Sequence, residues 1–295
     1  MKNFYKLVFL YVFVILGVSC QATKEIVNPD LEEWISLFNG VDLTGWDIKI
    51  TGHELNDNFN NTFSVMDSMI RVQYQGYEAF NGEFGHLYYH KPFSHYKLRF
   101  DYRFRGEQLK GGPSWAVRNS GAMLHSQSAG SVEIDQQFPV SVELQLLGGL
   151  GEGERTTGNV CSPVTAVLMA DTINYNHCIN SNSKTYHGDQ WVHVEAMVLG
   201  GEKMAFIVEG DTVLTLKEPQ IDGDVWESLG IIRDKEKWES MKGIPLTEGY
   251  IALQSESHPV DFKNIELLDL CGCMDPKAIN YKSYYVKEKP ESCKY

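Results

Sequence analysis

The chain has 295 residues, enough to bury a full core within one β-rich domain. Its 39 acidic and 26 basic side chains give a formal charge of −13, which no Lys/Arg cluster offsets. Such a surface repels phosphate backbones, so nucleic acid is excluded as a partner and neutral or cationic ligands are favoured. Six cysteines and a 12% aromatic content suit an oxidising compartment and carbohydrate, whose C–H faces stack on rings, although most aromatics are expected in a β core.

Lys2 and Lys6 precede an apolar run from Leu7 to Val18. At about 12 residues the run is too short to span a bilayer and reads as a signal peptide. Leu16-Gly17-Val18-Ser19-Cys20 resembles a bacterial lipobox, with Gly17 where a bulkier aliphatic is more usual. Residues 1–19 are therefore expected to be removed and Cys20 lipidated, so that the membrane is reached through a lipid anchor only and the protein works in the cell envelope. Losing Lys2 and Lys6 takes the formal charge from −13 to −15. Residues 20–33 read as a polar tether that need not be ordered.

From Trp34 to about residue 270 alternating segments dominate, and period two predicts strands over Lys97–Phe104, Gly121–His125, Val140–Leu147, Trp191–Leu199, Met204–Val208, Val213–Leu216 and Tyr250–Gln254. Lys97–Phe104 alternates strictly and should bury its aromatic face. Glu209-Gly210-Asp211-Thr212 reads as a hairpin turn. Asp224–Lys242, with Trp226, Leu229, Trp238 and Met241, is expected to hold short helical turns. Many strands with little helix predict an all-β sandwich of the jelly-roll type.

In Val140–Leu147, alternation sends Val140, Val142, Leu144 and Leu146 to one side and Ser141, Glu143 and Gln145 to the other. Glu143 and Gln145 then stand about 6 to 7 Å apart, roughly a sugar ring's span. Between them they offer a charge, an acceptor and an amide donor. Cys161 and Cys178 are expected to close a disulfide loop, and Cys293 to pair with Cys273 or Cys271, leaving one thiol over. The tail over residues 271–295 changes character and resembles the short cysteine modules, G-C-x-D-P-x-A-x-N-Y followed by C-x-Y, appended to bacterial envelope proteins. It reads as a structural staple.

Four motifs in order then point to a family. Phe38-Asn39-Gly40-Val41-Asp42-Leu43-Thr44-Gly45-Trp46, Asn119-Ser120-Gly121, Glu143-Leu144-Gln145, and Gly249-Tyr250-Ile251-Ala252-Leu253-Gln254 with Phe262-Lys263-Asn264-Ile265 resemble the DUF1080, or 3-keto-disaccharide hydrolase, signature. The resemblance spans about residues 34–268 and implies a concanavalin-like jelly roll acting on glycosides whose C3 is oxidised to a ketone. A C3 ketone acidifies the hydrogen on C2, so a base can abstract it and the C1 substituent can leave, with water adding afterwards if the net result is hydrolysis. Such chemistry needs a base, a donor or divalent metal for the enolate oxygen, and an acid for the leaving oxygen. Glu143 is the candidate base and His125 its candidate catalytic neighbour. Arg103, Arg118, Asn119, Gln145, His187, Trp191, Gln254, Glu256 and His258 are the candidate carbohydrate-binding residues. Many family members carry an acidic residue and His directly after the closing L-Q, where this chain has Ser255-Glu256-Ser257-His258. Glu256 and His258 are the available replacements. Two other readings compete: a lectin-like module that binds glycans without chemistry, and a glucanase reading of Glu133-Ile134-Asp135-Gln136-Gln137, which lacks the last carboxylate of E-x-D-x-x-E.

Overall fold

The computed structural model describes residues 28–223 and 235–295, so the expected leader, Cys20 and the segment from Asp224 to Asp234 lie outside the described residues. Two antiparallel sheets face each other. The first has seven strands in the order β12 (Cys178–Ile179), β9 (Asn159–Cys161), β8 (Val142–Leu147), β7 (Asn119–Ser126), β16 (Tyr250–Ser255), β5 (Gly85–Tyr89) and β2 (Trp46–Ile50). The second has ten, running β11 (Thr172–Asn174), β10 (Thr165–Met169), β15 (Asp211–Ile221), β14 (Lys203–Val208), β13 (Val192–Leu199), β6 (His95–Phe104), β17 (Val260–Asp269), β4 (Met69–Val72) and β3 (Phe63–Met66), with β1 (Ile35–Ser36) on β17. This is the expected all-β jelly-roll sandwich.

Period-two alternation explains the core. On β6, Tyr96, Leu98, Phe100, Tyr102 and Phe104 turn inward and are buried, while the polar residues between them face out. They meet Ala122 and Leu124 of β7, Val142, Leu144 and Leu146 of β8, and Ile251 and Leu253 of β16. Each such side chain is worth about 1.5 to 3 kcal/mol on burial. The turn Glu209-Gly210 joins β14 to β15 with φ of 49° and 86°, the double positive φ that a two-residue hairpin needs. Among the described residues of the expected helical segment, α1 (Lys235–Ser240) supplies one short helix that buries Trp238.

The outward face of the seven-stranded sheet is roofed rather than wet. Ala129 and Val132 pack on Met123, Ala252 and Tyr88, and Phe84 stands 4.9 Å from Phe138. The roof includes Glu133–Gln137, which form a loop and no strand. The glucanase motif therefore has no strand to carry it. Gln136 works structurally there, donating from Nε2 to the Phe138 carbonyl at 2.8 Å.

The Cys161–Cys178 disulfide forms as expected, joining directly paired residues of β9 and β12. Cys273 bonds Cys293, and Cys271 is the leftover thiol, buried beside the Ser94 hydroxyl. In the tail, β18 (Cys271–Gly272) and β19 (Lys287–Glu288) pair in parallel. The end of the tether is fastened to this tail: buried Lys282 pairs with Glu33, and Ser283 donates to Asp30 at 2.7 Å.

Candidate active site

Register sets the site. Glu143 on β8 lies between Cys161 on β9 and Met123 on β7, and Gln145 lies between Asn159 and Gly121. Met123 is under the roof, whereas the space over Glu143 and Gln145 is open. A cavity of about 390 Å³ lies there, walled by Glu143, Gln145, Asn119, Arg155, Glu256 and the Cys161–Cys178 disulfide, with Trp115 and Phe138 on the roof side. Gly121 has a mechanical reason to be glycine, because a Cβ there would fall onto the Glu143 carboxylate that lies across β7.

Glu143 and Glu256 face this one cavity and are both buried. Burial pushes the Glu143 pKa above the ordinary carboxylate value. Burial first, and then the Glu143 carboxylate, push Glu256 well above it, with Arg155 pulling the other way. Glu256 Oε2 has no hydrogen-bond partner. Two carboxyl groups so placed cannot both ionise cheaply, so at least one of them keeps its proton above the ordinary carboxylate range.

The other walls offer hydrogen bonds and one charge. Asn159 Nδ2 donates to Gln145 Oε1 at 3.0 Å, which leaves the Gln145 amide nitrogen as the group it can offer a ligand. Asn119 Oδ1 is buried without a partner. Arg155 donates from Nη1 to the carbonyls of Gly148 at 2.7 Å and Arg118 at 3.2 Å, which fixes its guanidinium beside the cavity. Trp115, in a 3₁₀ turn just before β7, is 52% exposed and stacks on Phe84 at 5.8 Å, so one ring face is open to a ligand. Among the described residues one trio brings three potential metal-ligand atoms within 4.8 Å of one another, Cys161, His177 and Cys178, and both of its sulfurs are tied up in the disulfide.

Of the candidate catalytic and carbohydrate-binding residues, Glu143, Asn119, Gln145 and Glu256 meet in this cavity. The rest do not. His125 would share the Met123 side by alternation, but a bulge opposite Tyr250 and Ala252 gives it φ 48° and turns its ring inward. Its Nε2 meets the carbonyl of Gly200, in the turn after β13, at 3.0 Å, and its ring stands edge-on to Tyr96 of β6. Gln254 lies one row over, paired with His86, fully buried with neither amide atom partnered. Arg103 pairs with Asp261 at 2.7 Å on the outward side of the ten-stranded sheet. Trp191 lies there too, away from the cavity, with Arg103 at 4.5 Å and Lys263 at 4.0 Å from its ring. Arg118 is held by Asp189 at 2.6 Å, and His187 Nδ1 accepts from the Gly151 amide at 3.0 Å. His258 opens onto a neighbouring cleft. Sequence reasoning missed Trp115, Arg155 and Phe138, which sit in irregular segments without periodicity.

A model of the 3-keto-alpha-glucoside-1,2-lyase-like domain matches residues 33–268, most of the chain. The chain belongs to this family. Among solved structures, the chain is similar to two described as "putative glycosyl hydrolase" from Parabacteroides distasonis ATCC 8503. One superposes with TM-score 0.47 at 19% identity over 80% of this chain and 93% of that one, the other with 0.46 at 14% over 80% and 98%. The carbohydrate-binding module CBM66 from Bacillus subtilis superposes with TM-score 0.40 at 9% identity, over 76% and 96%. No curated protein matches the chain.

Proposed function

We propose that this protein cleaves 3-keto-glycosides at the cavity between Glu143 and Glu256. The observation that carries the reading is the pair of buried carboxyl groups, unlike in their surroundings and facing one ligand-sized space. The Glu143 carboxylate takes the hydrogen on C2, whose bonding electrons move toward the C3 ketone as an enolate. Arg155 supplies positive charge to that oxygen, and the Asn119 and Gln145 amides hold neighbouring hydroxyls. The C1–O bond then breaks, and Glu256, holding its proton through burial and the nearby Glu143, delivers it to the departing oxygen. The products are a 2-hydroxy-3-keto glycal and the free alcohol. Water added across the new double bond would complete a net hydrolysis. Trp115 gives the sugar a stacking face.

A lectin without turnover is the second reading, and the exposed Trp115 ring is the observation that suits it. Release of alcohol from a synthetic 3-keto-glucoside, followed with and without chelator, separates the two. The enzyme reading predicts release from the keto sugar and none from its unoxidised counterpart. Binding of the unoxidised sugar with no release from any keto sugar would replace it with the lectin. In the expected setting the protein acts in the cell envelope, anchored through Cys20.

A further inference from the structure

The disulfide wall of the cavity carries a third potential ligand. Cys161, Cys178 and His177 bring two sulfurs and an imidazole nitrogen within 4.8 Å of one another, and all three residues line the cavity. Cys178 stands directly opposite Cys161, and Cys161 directly opposite Glu143, so these side chains share the outward side of the sheet. Strict alternation would turn His177 away from Cys178. It lies just outside β12, however, and its ring stands on the cysteine side. The placement is held by bonds that owe nothing to the disulfide. The Ser162 amide donates to the His177 carbonyl at 2.7 Å, and the Ser181 amide donates to Asn159 Oδ1 at 2.9 Å. The loop between the cysteines is fixed separately, because β10 pairs with β15 in the other sheet.

Opening the disulfide turns this wall into a donor set. Cys178 is exposed, so a thiolate of a small dithiol can attack its sulfur and expel Cys161 as the thiolate. The second thiol of the reagent then displaces Cys178, and the dithiol departs as a cyclic disulfide, having supplied the two electrons. Two thiols and an imidazole remain. Burial holds the His177 pKa below the ordinary histidine value, so at neutral pH the ring is uncharged and has a lone pair to give. Thiolate and imidazole suit zinc and similar divalent cations, at about 2.3 Å for sulfur and about 2.0 to 2.1 Å for nitrogen. Tetrahedral bonds of those lengths set the donor atoms about 3.6 to 3.8 Å apart, a spacing that the 4.8 Å bound on the trio accommodates.

We infer that reduction of Cys161–Cys178 converts the cavity wall into a binding site for a soft divalent cation, held by Cys161, Cys178 and His177 with a fourth position left open. Binding displaces the two thiol protons. The ion then stands one strand from Glu143. Metal uptake tests this without any turnover, so it stands apart from the cleavage reading. The full chain is taken oxidised, and again after dithiothreitol treatment with the reagent removed under nitrogen, and each form is titrated with cobalt(II), whose thiolate charge-transfer and visible bands report the site. Cys273–Cys293 opens under the same treatment, so Cys161→Ser/Cys178→Ser supplies the background of the tail thiols. Reduced wild type should bind one equivalent beyond that background, oxidised wild type should bind none there, and His177→Ala should lose affinity by about 10-fold or more. X-ray absorption of the zinc-loaded protein should show both sulfur and nitrogen neighbours. Uptake by reduced wild type no greater than that of the double variant, unchanged affinity in His177→Ala, or loss of the native near-ultraviolet circular dichroism on reduction would overturn the site. Melting curves, with His177→Gln as a second way of removing the imidazole, separate ligand loss from misfolding.

Discussion

Buried carboxylates occur on the outward side of each sheet, and the two sites are built in opposite ways. Asp261 on β17 is fully buried and receives three arginines: Arg71 Nε at 2.9 Å, Arg103 Nη2 at 2.7 Å and Arg105 Nε at 2.8 Å. Burial alone would raise its pKa, but the hydrogen bonds from Arg71 and Arg103 and the charge of Arg105 outweigh it and hold the carboxyl below its ordinary value. Glu143 and Glu256 are buried just as deeply, have one cation, Arg155, at the edge of their cavity, and shift upward. A buried carboxylate fully paired with cations is architecture. A buried carboxyl that faces open volume with its proton poorly matched to its surroundings has the placement that proton transfer requires.

That contrast breaks most visibly at its reactive end. Glu143→Gln keeps volume and hydrogen bonding while removing the base, so turnover of a 3-keto-glucoside should fall by about 10² to 10⁴ with a melting temperature at or above that of wild type. A loss of folding instead would put Glu143 in the architectural class. At the other end, Asp261→Asn strips the counter-charge from three arginines, and chemical denaturation should show a loss of about 3 to 5 kcal/mol. The surviving folded fraction should keep wild-type kcat, and a kcat loss without destabilisation would invert the assignment.

The disulfide wall sharpens the comparison with a smaller effect. Cys161→Ser with Cys178→Ser opens a loop of 17 residues' separation, worth about 3 kcal/mol in the chain-entropy model. Because that disulfide walls the cavity, KM for the keto sugar should rise with the fall in melting temperature, and unchanged KM would place the disulfide outside the working site.

A subtler test uses pH. Glu143 and Glu256 have folded pKa values above the unfolded value of 4.5, so the folded state holds more protons than the unfolded one as pH rises from there. Stability present below that value is lost as pH climbs through the folded values. The histidines act in the opposite sense and lower down. His86, pushed by burial to about 3, and His125, pushed by burial to about 4, cost stability as pH falls below 6.5. Above pH 7 the carboxyl contribution therefore stands alone. Glu143→Gln should melt above wild type at pH 9 and approach it at pH 5, and parallel curves across that range would contradict the placement of Glu143.

Much of this was legible because alternation is a local signal. Lys97–Phe104 announces its buried aromatic face, and Glu143 and Gln145 announce their shared side, since period two depends on neighbours along the chain. His125 shows the limit: one bulged residue, set by how β7 pairs with β16, turned it to the other side. Trp115 and Arg155 were invisible for another reason. They lie in Gly-rich irregular stretches, and only the register between distant strands brings them to Glu143. His86 had a readable signal, the alternation of Gly85-His86-Leu87-Tyr88, but nothing in that pattern says its row is roofed by Phe138 at 6.2 Å.

If Glu143 takes the hydrogen from C2, isotope exchange on a substrate that cannot be cleaved reveals it. A 3-keto C-glucoside, whose C1 carbon substituent does not leave, can be incubated with enzyme in deuterium oxide and its C2 proton followed by NMR. Wild type should wash deuterium into C2, Glu256→Gln should do so as well because no leaving group needs a proton, and Glu143→Gln should not exceed the enzyme-free rate. Exchange by Glu143→Gln at the wild-type rate, or its absence in a wild type that cleaves the corresponding O-glucoside, would contradict the account.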